Sequence, residues 1–329
     1  MIAVSYIIPL YNGSKTIGRC LNSIYAVGLD NEEFEVIVVD DCSSDDSIEK
    51  VKQYAESHQN LRVIQHENNK CQGGAKNTGI RNAKGVFVAF ADQDDCIIPS
   101  NQKKALEQAL VSMPDMLSCK WEQVSEKGDV EEHGLDLADG TCSDGIHYCE
   151  SWFDAAKCLA PWSYLYRRDF LMQMKRPMEE GVLMEDSDWV AWHLFFSSKV
   201  LYMNIPIYRW VMNPNSITHG MSWRHKADYV KFGYRKIRDS FVMSEKSARM
   251  GDLMRNDGRY NIEHVFKKLW KIDDYARFYE HVGDDVLEEL IKMKWSKRTS
   301  FMLHHPKTTC LALGIVGTVL RIGSRCGIK

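Results

Sequence analysis

The chain has 329 residues, of which 44% are hydrophobic and 26% charged, and its net charge is -3. This composition is typical of a folded globular protein and excludes a disordered or fibrous chain. The charge is uneven, because residues 1–220 are acidic, whereas the last 40 residues contain eight Lys or Arg and no Asp or Glu. The acidic part argues against nucleic-acid binding, and the basic end indicates either an anionic partner or a solvated basic face.

Short apolar segments alternate with helical patterns through the first third of the chain. Strands are predicted at 3–9, 34–40, 61–66 and 86–91, with helices at 14–27, 44–58, 74–84 and 99–113. The strand segments are apolar at consecutive positions, which is typical of strands buried on both faces. This alternation predicts an α/β fold built on a Rossmann-like, mostly parallel, doubly wound sheet.

The rest of the chain has weaker patterns. Residues 124–148 are polar and rich in Gly and Asp, which indicates a loop or short hairpins. Helices are predicted at 150–159 and 184–197, with extended backbone at 199–211. From 221 to 329 the pattern becomes helical, basic and aromatic, which predicts a C-terminal helical appendage.

Polar residues follow three of the predicted strands at the point where each strand ends. They are Tyr11-Asn12, Asp40-Asp41 and Asp92 to Asp95. In doubly wound sheets, ligands bind at the carboxyl ends of the strands. Clustered carboxylates repel one another unless a cation lies among them, and oxygen ligands favour Mg²⁺ or Mn²⁺. Asp92 and Asp94 therefore predict a metal-bridged diphosphate. The alternative is an acidic turn in which Asp95 caps the helix that follows.

Five segments carry a resemblance to a known family. They are SYIIPLYN (5–12), VIVVDDCSSD (36–45), GGAKNTGIRNAKG (73–85), FADQDD (90–95) and MEDSDW (184–189). In this order they resemble the family-2 inverting glycosyltransferases with the GT-A fold, and the resemblance covers about residues 1–220. It implies a nucleotide-sugar-binding half at 1–98 and an acceptor and catalytic half of the same domain at 99–220. The basic helical region at 221–329 is predicted from its own residue pattern.

The resemblance implies a metal-dependent enzyme that transfers a single sugar, a hexose or an N-acetylhexosamine, from a nucleotide sugar. A UDP-sugar is favoured, and the acceptor would be a hydroxyl of a glycan or lipid-linked molecule in cell-surface polysaccharide assembly. Two alternatives stay open. Paired carboxylates also serve glycoside hydrolases, and a nucleotide-sugar-binding scaffold at the membrane would need the same site without turnover.

Five residues are implied to bind the nucleotide, and one of them, Asp92, is also a predicted metal ligand. Pro9 and Tyr11 match first-strand positions that line the base pocket. Asp41 matches an acid that accepts a hydrogen bond from the uracil imide. Lys76 lies where the family has a basic residue near the base or a phosphate. An aromatic ring and an acceptor at a strand end also suit a stacked, hydrogen-bonded base on physical grounds.

The acids are implied to bind metal and to act in catalysis. Asp92 and Asp94 match the D-x-D pair, in which the first acid faces the ribose and the metal and the second ligates Mn²⁺ or Mg²⁺ directly. His219 is a candidate third ligand. Asp186 matches the base that takes a proton from the acceptor hydroxyl, with inversion at the anomeric carbon. Glu185 is an alternative, as is Asp188, because the sequence does not decide which carboxylate points inward.

The acceptor and the location of the protein are less constrained. Trp162 would stack on an acceptor sugar or lie buried. Residues 286–303 mix apolar residues, Trp and Lys at helical spacing, which predicts an interfacial amphipathic helix, and the apolar run 310–320 is too short to span a bilayer. The N-terminus lacks the features of a secretory signal. We therefore expect a cytoplasmic protein that attaches peripherally to the inner face of the membrane, or else a C-terminal helix that packs on the catalytic domain.

Overall fold

A mixed sheet organises the N-terminal part of the protein. The computed structural model describes residues 1–154, 159–213, 222–269 and 274–310. Two units separate at residue 214, and they span Met1–Pro214 and Asn215–Lys329. The sheet belongs to the first unit and helices form the described part of the second.

The described sheet contains ten strands. They are β1 (Val4–Leu10), β2 (Phe34–Asp40), β3 (Leu61–Gln65), β4 (Phe87–Phe90), β5 (Cys96–Ile97), β6 (Met116–Val124), β7 (Val130–His133), β8 (Cys142–Ser143), β9 (Tyr164–Arg167) and β10 (Val200–Val211). Their order is β3-β2-β1-β4-β9-β6-β10-β5, with β7 beside β6 and β8 beside β10. Along this path only β9 and β5 run against the other strands. The carboxyl ends of β1, β2 and β4 therefore lie at the same edge.

Helices cover both faces of this sheet. In the first unit they are α1 (Ile17–Tyr25), α2 (Ser47–Ser57), α3 (Cys71–Asn82), α4 (Pro99–Ser112), α5 (Gly145–Asp154), α6 (Arg168–Met174) and α7 (Ser187–Phe196). Tyr6 and Ile8 share a core with residues of α1, α2 and α4. Ile7 points the other way, toward α3, where a Cβ on Gly79 would lie 2.2 Å from the Ile7 side chain. The predicted doubly wound architecture is confirmed.

The N-terminal strand tolerates a proline because of its pairing. Ile7 accepts a hydrogen bond from the backbone N–H of Ala91 at 3.0 Å, on the side of β4. Since alternate residues of a strand face the same neighbour, Pro9 also faces β4, and the β1–β4 pairing has already ended at Ile7. Proline lacks an N–H, so it fits a strand position without a ladder partner.

Several elements differ from the sequence prediction. The strands β6 and β9 and the helix α6 were not predicted. The helix predicted at 150–159 is α5, which begins at Gly145, a residue more typical of turns. A Cβ on Gly145 would lie 1.7 Å from the carbonyl oxygen of Leu194 in α7, so glycine is required for the approach of the two helices.

The second unit has its own helical core. Its helices are α8 (Trp223–Ser244), α9 (Ala248–Lys267), α10 (Tyr275–Val282), α11 (Asp284–Ile291) and α12 (Lys297–His304). The long helices α8 and α9 approach closely at two glycines, because a Cβ on Gly233 would lie 2.7 Å from the carbonyl oxygen of Gly258. A C-terminal helical region was predicted and is confirmed.

The predicted amphipathic helix at 286–303 is not a single helix. Its residues form α11 and α12, and Leu287, Leu290 and Leu303 are buried in the core of the second unit. The prediction of one continuous helix is wrong, because residues 292–296 separate α11 from α12. The apolar run 310–320 falls outside the described residues from position 311 onward. None of the described helices is long and apolar enough to cross a membrane.

Candidate active site

The acidic turn comprises residues 92–95 after β4, and hydrogen bonds join it to the end of β1. Gln93 exchanges two hydrogen bonds with the backbone of Tyr11: its Oε1 accepts from the N–H at 2.8 Å and its Nε2 donates to the carbonyl at 2.9 Å. The Arg19 guanidinium of α1 donates to the carbonyl of Asp94. The turn is therefore held by its backbone and by Gln93, which leaves the side chains of Asp92 and Asp94 for other roles.

Asp95 is the structural member of the acidic turn. Its buried carboxylate accepts hydrogen bonds from the Tyr208 hydroxyl at 2.9 Å and from the backbone N–H of Val211 at 2.8 Å. Tyr208 also accepts from the N–H of Asp92 at 2.9 Å. Burial raises the pKa of Asp95 well above its usual range. Asp95 ties the turn to β10 and does not cap α4, whose N-cap is Ile98.

A buried lysine lies between the acidic turn and the segment before α7. Lys76 of α3 places its Nζ 3.2 Å from Glu185 Oε1 and 3.8 Å from Asp92 Oδ1. Burial by itself would lower the pKa of Lys76, but the carboxylates of Asp92, Glu185 and Asp186 outweigh it and raise that pKa. Lys76 therefore carries its charge and partly neutralises the surrounding acids.

Hydrogen bonds hold the segment before α7 against α3. Asn77 Nδ2 donates to the carbonyl of Met178 at 2.9 Å, and Asn77 Oδ1 accepts from the N–H of Met178 at 2.9 Å. A Cβ on Gly73 would lie 2.3 Å from the carbonyl oxygen of Glu179. In the G-G-A-K-N sequence, Gly73 allows the backbone of α3 to approach Glu179, and the Asn77 amide forms two hydrogen bonds with the backbone of Met178. Together they bring Glu185 over Lys76.

The three acids near the start of α7 have different environments. Asp186 is the N-cap of α7, is partly exposed, and accepts a hydrogen bond from Ser187 N–H at 2.7 Å. Glu185 is buried beside Lys76, and burial raises its pKa to about 7. Asp188 is buried and lies 3.8 Å from the guanidinium of Arg176. Burial also raises the pKa of Asp186. Of the three carboxylates, Asp186 combines a fixed orientation with access to solvent.

The residues predicted to bind the base lie at the carboxyl ends of β1 and β2. Pro9 is buried within β1, and Tyr11 is 51% exposed directly after it. Asp41 is buried and its Oδ1 accepts from Lys70 N–H and lies near His66 Nδ1, each at 2.8 Å. The exposed ring and the buried acid follow adjacent paired strands, so the structure brings them to one part of the sheet edge.

Trp162 is part of an aromatic cluster next to the acidic turn. Its ring is stacked on Tyr208, with centroids 4.4 Å apart and planes at 11°, and it meets Trp121 edge to face at 5.1 Å. Tyr208 is the residue that joins Asp92 to Asp95. The partly buried Trp162 thus packs on one face against the residue that organises the acids.

Two carboxylates of the acidic turn fit a divalent cation. Asp92 Oδ1 is buried and has no hydrogen-bond partner among the described residues, although Lys76 is its ionic neighbour. The hydrogen bond from Arg19 reaches the backbone carbonyl of Asp94 and does not involve its carboxylate. Within the described ranges no group of three His, Cys, Asp or Glu is arranged around a metal, and His219 lies outside them. Two oxygen ligands suffice for Mg²⁺-type ions, which complete their shell with water and phosphate.

Sequence reasoning missed three residues that organise this site. Tyr208 and Gln93 hold the acidic turn, and His66 contacts Asp41. Tyr208 follows Ile207 in an extended segment, and no neighbouring residue in the sequence indicates that its hydroxyl contacts the acidic turn. His66 had a weak signal, because it directly follows β3 at the same sheet edge as the predicted base pocket.

Comparisons with known proteins identify the family of this chain. A family model described as "Glycosyl transferase family 2" matches residues 5–174. The Bacillus subtilis protein EpsH, which is named as a glycosyltransferase, is 30% identical over 323 residues, and the match covers 94% of this chain and 90% of EpsH. The family predicted from the sequence motifs is confirmed.

A second similar protein is the Staphylococcus aureus poly(ribitol-phosphate) beta-N-acetylglucosaminyltransferase TarS. It is 37% identical over 129 residues, which cover 39% of this chain and 22% of TarS. The structure of TarS 1-349 in complex with UDP-GlcNAc has a TM-score of 0.63 at 20% identity, covering 99% of this chain and 92% of that one. At this identity the likeness shows a shared fold, and the predicted GT-A fold is confirmed.

A more distant structure shares the same fold. The mannosyltransferase PcManGT from Pyrobaculum calidifontis, in complex with GDP-Man and Mn²⁺, has a TM-score of 0.51 at 15% identity. The match covers 96% of this chain and 83% of that one. The fold is therefore found in proteins that bind different nucleotide sugars.

Proposed function

The chain belongs to glycosyltransferase family 2, and we propose that it transfers a single sugar from a UDP-sugar to a hydroxyl group of a glycan or lipid-linked acceptor, with inversion at the anomeric carbon. The transferred group would be a hexose or an N-acetylhexosamine. The reaction would serve the assembly of cell-surface polysaccharide. One relative is named as an N-acetylglucosaminyltransferase that acts on a polymer, poly(ribitol-phosphate).

One observation carries the proposal. Lys76 Nζ lies within 4 Å of both Asp92 and Glu185, which come from distant parts of the sequence. This contact joins the acidic turn to the segment that contains Asp186. A diphosphate held at Asp92 would therefore lie near a carboxylate able to act as a base, which is the arrangement that direct glycosyl transfer requires.

Asp186 would act as the general base. Its carboxylate is oriented by the N–H of Ser187, so the loss of freedom on reaction is small. The acceptor oxygen forms a bond to the anomeric carbon as the bond from that carbon to the diphosphate oxygen breaks. The acceptor proton passes to Asp186, and the bonding electron pair leaves with the nucleoside diphosphate. A single displacement of this kind inverts the anomeric configuration, and a positioned base contributes about 10²–10⁴ in rate.

Asp92 and Asp94 would hold Mn²⁺ or Mg²⁺. When bound, such an ion supplies positive charge to the departing diphosphate, which is a large electrostatic contribution. The buried Oδ1 of Asp92 has no hydrogen-bond partner among the described residues, which supports this assignment, as does the presence of Mn²⁺ in the structurally similar mannosyltransferase. Lys76 adds a permanent positive charge beside the same acid.

Tyr11 and Asp41 would bind the base, and Trp162 the acceptor. The exposed ring of Tyr11 offers a stacking surface, and Asp41 offers an acceptor for an imide N–H. UDP is favoured because the structurally similar TarS binds UDP-GlcNAc. Trp162 keeps part of its surface exposed beside the acidic turn, where a sugar ring would stack. The basic C-terminal residues would bring the enzyme to an anionic membrane surface that carries the acceptor.

Calorimetric titration with UDP and GDP tests the proposal. We expect UDP to bind in the presence of Mn²⁺, and binding to fall when EDTA replaces the metal or when Asp94→Ala removes a ligand. Asp169→Ala is the matched control, because this acid is exposed on α6 and should leave binding unchanged. Absence of binding by the wild-type protein to either nucleotide under all conditions would contradict the proposal.

The two alternative functions are separated by simple assays. Membership of a glycosyltransferase family removes the main support for a glycoside hydrolase. Such an enzyme would release sugar from glycans without a nucleotide donor, and we expect no such release. A scaffold without turnover would bind UDP-sugars but would not release UDP in the presence of any acceptor.

A further inference from the structure

The buried Asp41 ends a chain of hydrogen bonds that starts on α3. His66 follows β3, and its Nδ1 lies 2.8 Å from Asp41 Oδ1 while its Nε2 lies 2.9 Å from Thr78 Oγ1. Arg81 Nη2 donates to the same Thr78 oxygen at 2.9 Å. The four side chains therefore link helix α3 to the carboxyl end of β2, across the end of β3.

The chemistry of the four side chains decides which atom donates in each of these hydrogen bonds. An arginine guanidinium only donates hydrogen bonds, so Thr78 accepts from Arg81 and retains one hydrogen to donate. Among the described residues, the ring of His66 is the acceptor within reach of that hydroxyl. Thr78 therefore donates to Nε2, and Nδ1 of His66 carries the hydrogen that is donated to Asp41. This pattern assigns a single tautomer to the ring.

The two oxygens of Asp41 are used unequally. Oδ1 accepts from His66 Nδ1 and from the N–H of Lys70, each at 2.8 Å, and is therefore saturated. Among the residues that the structure describes, Oδ2 receives only the longer branch of the Lys70 bond, at 3.1 Å. The backbone of His66 is fixed as well, because its N–H donates to the carbonyl of Asp40 at 2.9 Å. His66 thus prevents rotation of the carboxylate and keeps Oδ2 as the oxygen with spare acceptor capacity.

We propose that His66 is a positioning residue for donor recognition, which fixes Asp41 so that Oδ2 accepts the imide N–H of a uracil base. The inference rests on the proposed function, because Asp41 meets a base only if the chain binds a nucleotide sugar. Uracil carries an N–H at ring position 3, whereas cytosine presents an acceptor there. A carboxylate that cannot rotate attracts the first base and repels the second.

Two matched pairs of variants test the role. His66→Phe removes both ring nitrogens, whereas His66→Asn keeps an amide N–H near the position of Nδ1. Thr78→Val removes the hydroxyl with little change of shape, whereas Thr78→Ser keeps it. Affinities for UDP and CDP would be measured by calorimetry with Mn²⁺. We expect His66→Phe to reduce the preference for UDP over CDP about 10-fold, Thr78→Val to reduce it less, and the two conservative variants to retain most of it.

The outcomes separate this inference from the function on which it rests. A wild-type protein that fails to bind UDP overturns both. A wild-type preference for UDP that His66→Phe leaves unchanged, or a variant that weakens UDP and CDP equally, overturns the role of His66 alone. The ¹⁵N spectrum of the imidazole gives a readout without nucleotide, and a hydrogen on Nε2 instead of Nδ1 would overturn the hydrogen-bond chain. If His66→Phe does not fold, as judged by circular dichroism, the preference of Thr78→Val and Thr78→Ser for UDP over CDP still tests the role of His66.

Discussion

Lys76 Nζ lies 3.2 Å from Oε1 of Glu185, although 109 positions separate the two residues in the chain. Both side chains are almost completely buried. The contact brings α3 and the segment before α7 into one site, and Asp92 lies 3.8 Å from the same ammonium. A buried ion pair is costly to break because the remaining charge has no water to solvate it. Loss of either partner alone would therefore destabilise the fold.

Replacing Lys76 with methionine should destabilise the protein strongly. The change keeps the length of the side chain and removes its charge, so Glu185 and Asp92 lose their cation. We expect the free energy of unfolding to fall by about 3–5 kcal/mol at pH 8, measured by urea denaturation. The double variant Lys76→Met with Glu185→Gln should recover part of the loss. Equal stability of the single and double variants would show that the pair is not coupled.

The penalty of Lys76→Met should depend on pH. Burial raises the pKa of Glu185 to about 7 even with Lys76 present, and without the cation its carboxyl would bind a proton still more readily. As the pH falls, the buried carboxyl of the variant becomes neutral and no longer needs a partner. We therefore expect the destabilisation to shrink as pH falls from 8 to 6. A penalty that is constant over this range would contradict the burial of an ionised Glu185.

Asp186→Asn should separate catalysis from binding. Asparagine is also a good N-cap, so α7 should remain intact. The rate of sugar transfer should fall by about 10²–10⁴ because the base is lost, while the affinity for UDP stays close to that of the wild type. Asp188→Asn is the matched control, since that acid is buried beside Arg176, and it should affect stability more than rate. A rate loss confined to Glu185→Gln would assign the base to Glu185 instead.

The acid side of the pH–rate profile gives a second test of Asp186. A base must be ionised to take a proton, so transfer fails as pH falls below its pKa. Burial raises the pKa of Asp186, and the loss of rate should therefore occur above the range typical of an exposed aspartate. An acid limb that lies within the ordinary aspartate range would contradict this role.

Tyr208→Phe should remove the hydrogen bonds that hold the acidic turn and keep the ring that packs in the aromatic cluster. The hydroxyl accepts from Asp92 N–H and donates to the Asp95 carboxylate, whereas the ring that stacks on Trp162 is kept. We expect a loss of about 1–3 kcal/mol in the free energy of unfolding, together with weaker Mn²⁺-dependent binding of UDP. Tyr202→Phe removes another buried hydroxyl from the same strand. That control should lose stability but keep its response to Mn²⁺.

Local patterns in the sequence were sufficient for the first four strands and for the acids at their ends. Both signals come from adjacent residues: an apolar run buried on two faces and a cluster of charge directly after it. The partner of Asp95 was not predictable in this way, because Tyr208 is 113 positions away in the chain. An Asp95 cap on α4 was the alternative interpretation of the sequence, and the structure places this residue against β10 instead.

Lys76 shows the same limit within a recognised motif. Its position suggested contact with a base or a phosphate, which remains a prediction, but its ion pair with Glu185 depends on the clamp between Asn77 and Met178. Such a clamp requires a specific backbone path in a segment without periodicity. The break between α11 and α12 was likewise not predicted, because apolar spacing alone does not show where one helix ends and the next begins.

A buried histidine should make the protein sensitive to acid. His193 is completely buried in α7, its Nδ1 donates to the carbonyl of Trp189 at 2.8 Å, and its Nε2 has no hydrogen-bond partner among the described residues. Burial lowers the pKa of His193 from 6.5 to about 3. The folded protein keeps the ring neutral in the window between these values, whereas the unfolded chain binds a proton. Stability therefore falls as pH drops below about 6.5.

His193→Gln should remove this contribution. Between pH 7.5 and 5.5 we expect the wild type to lose about 1.4 kcal/mol more of its free energy of unfolding than the variant does, although the variant itself is less stable at pH 7.5. His147→Gln is the control, because this histidine is 76% exposed and should keep the wild-type dependence on pH. Urea denaturation at several pH values measures the difference. Parallel curves for the wild type and His193→Gln would mean that the buried ring accepts a proton without cost, contrary to its apolar surroundings.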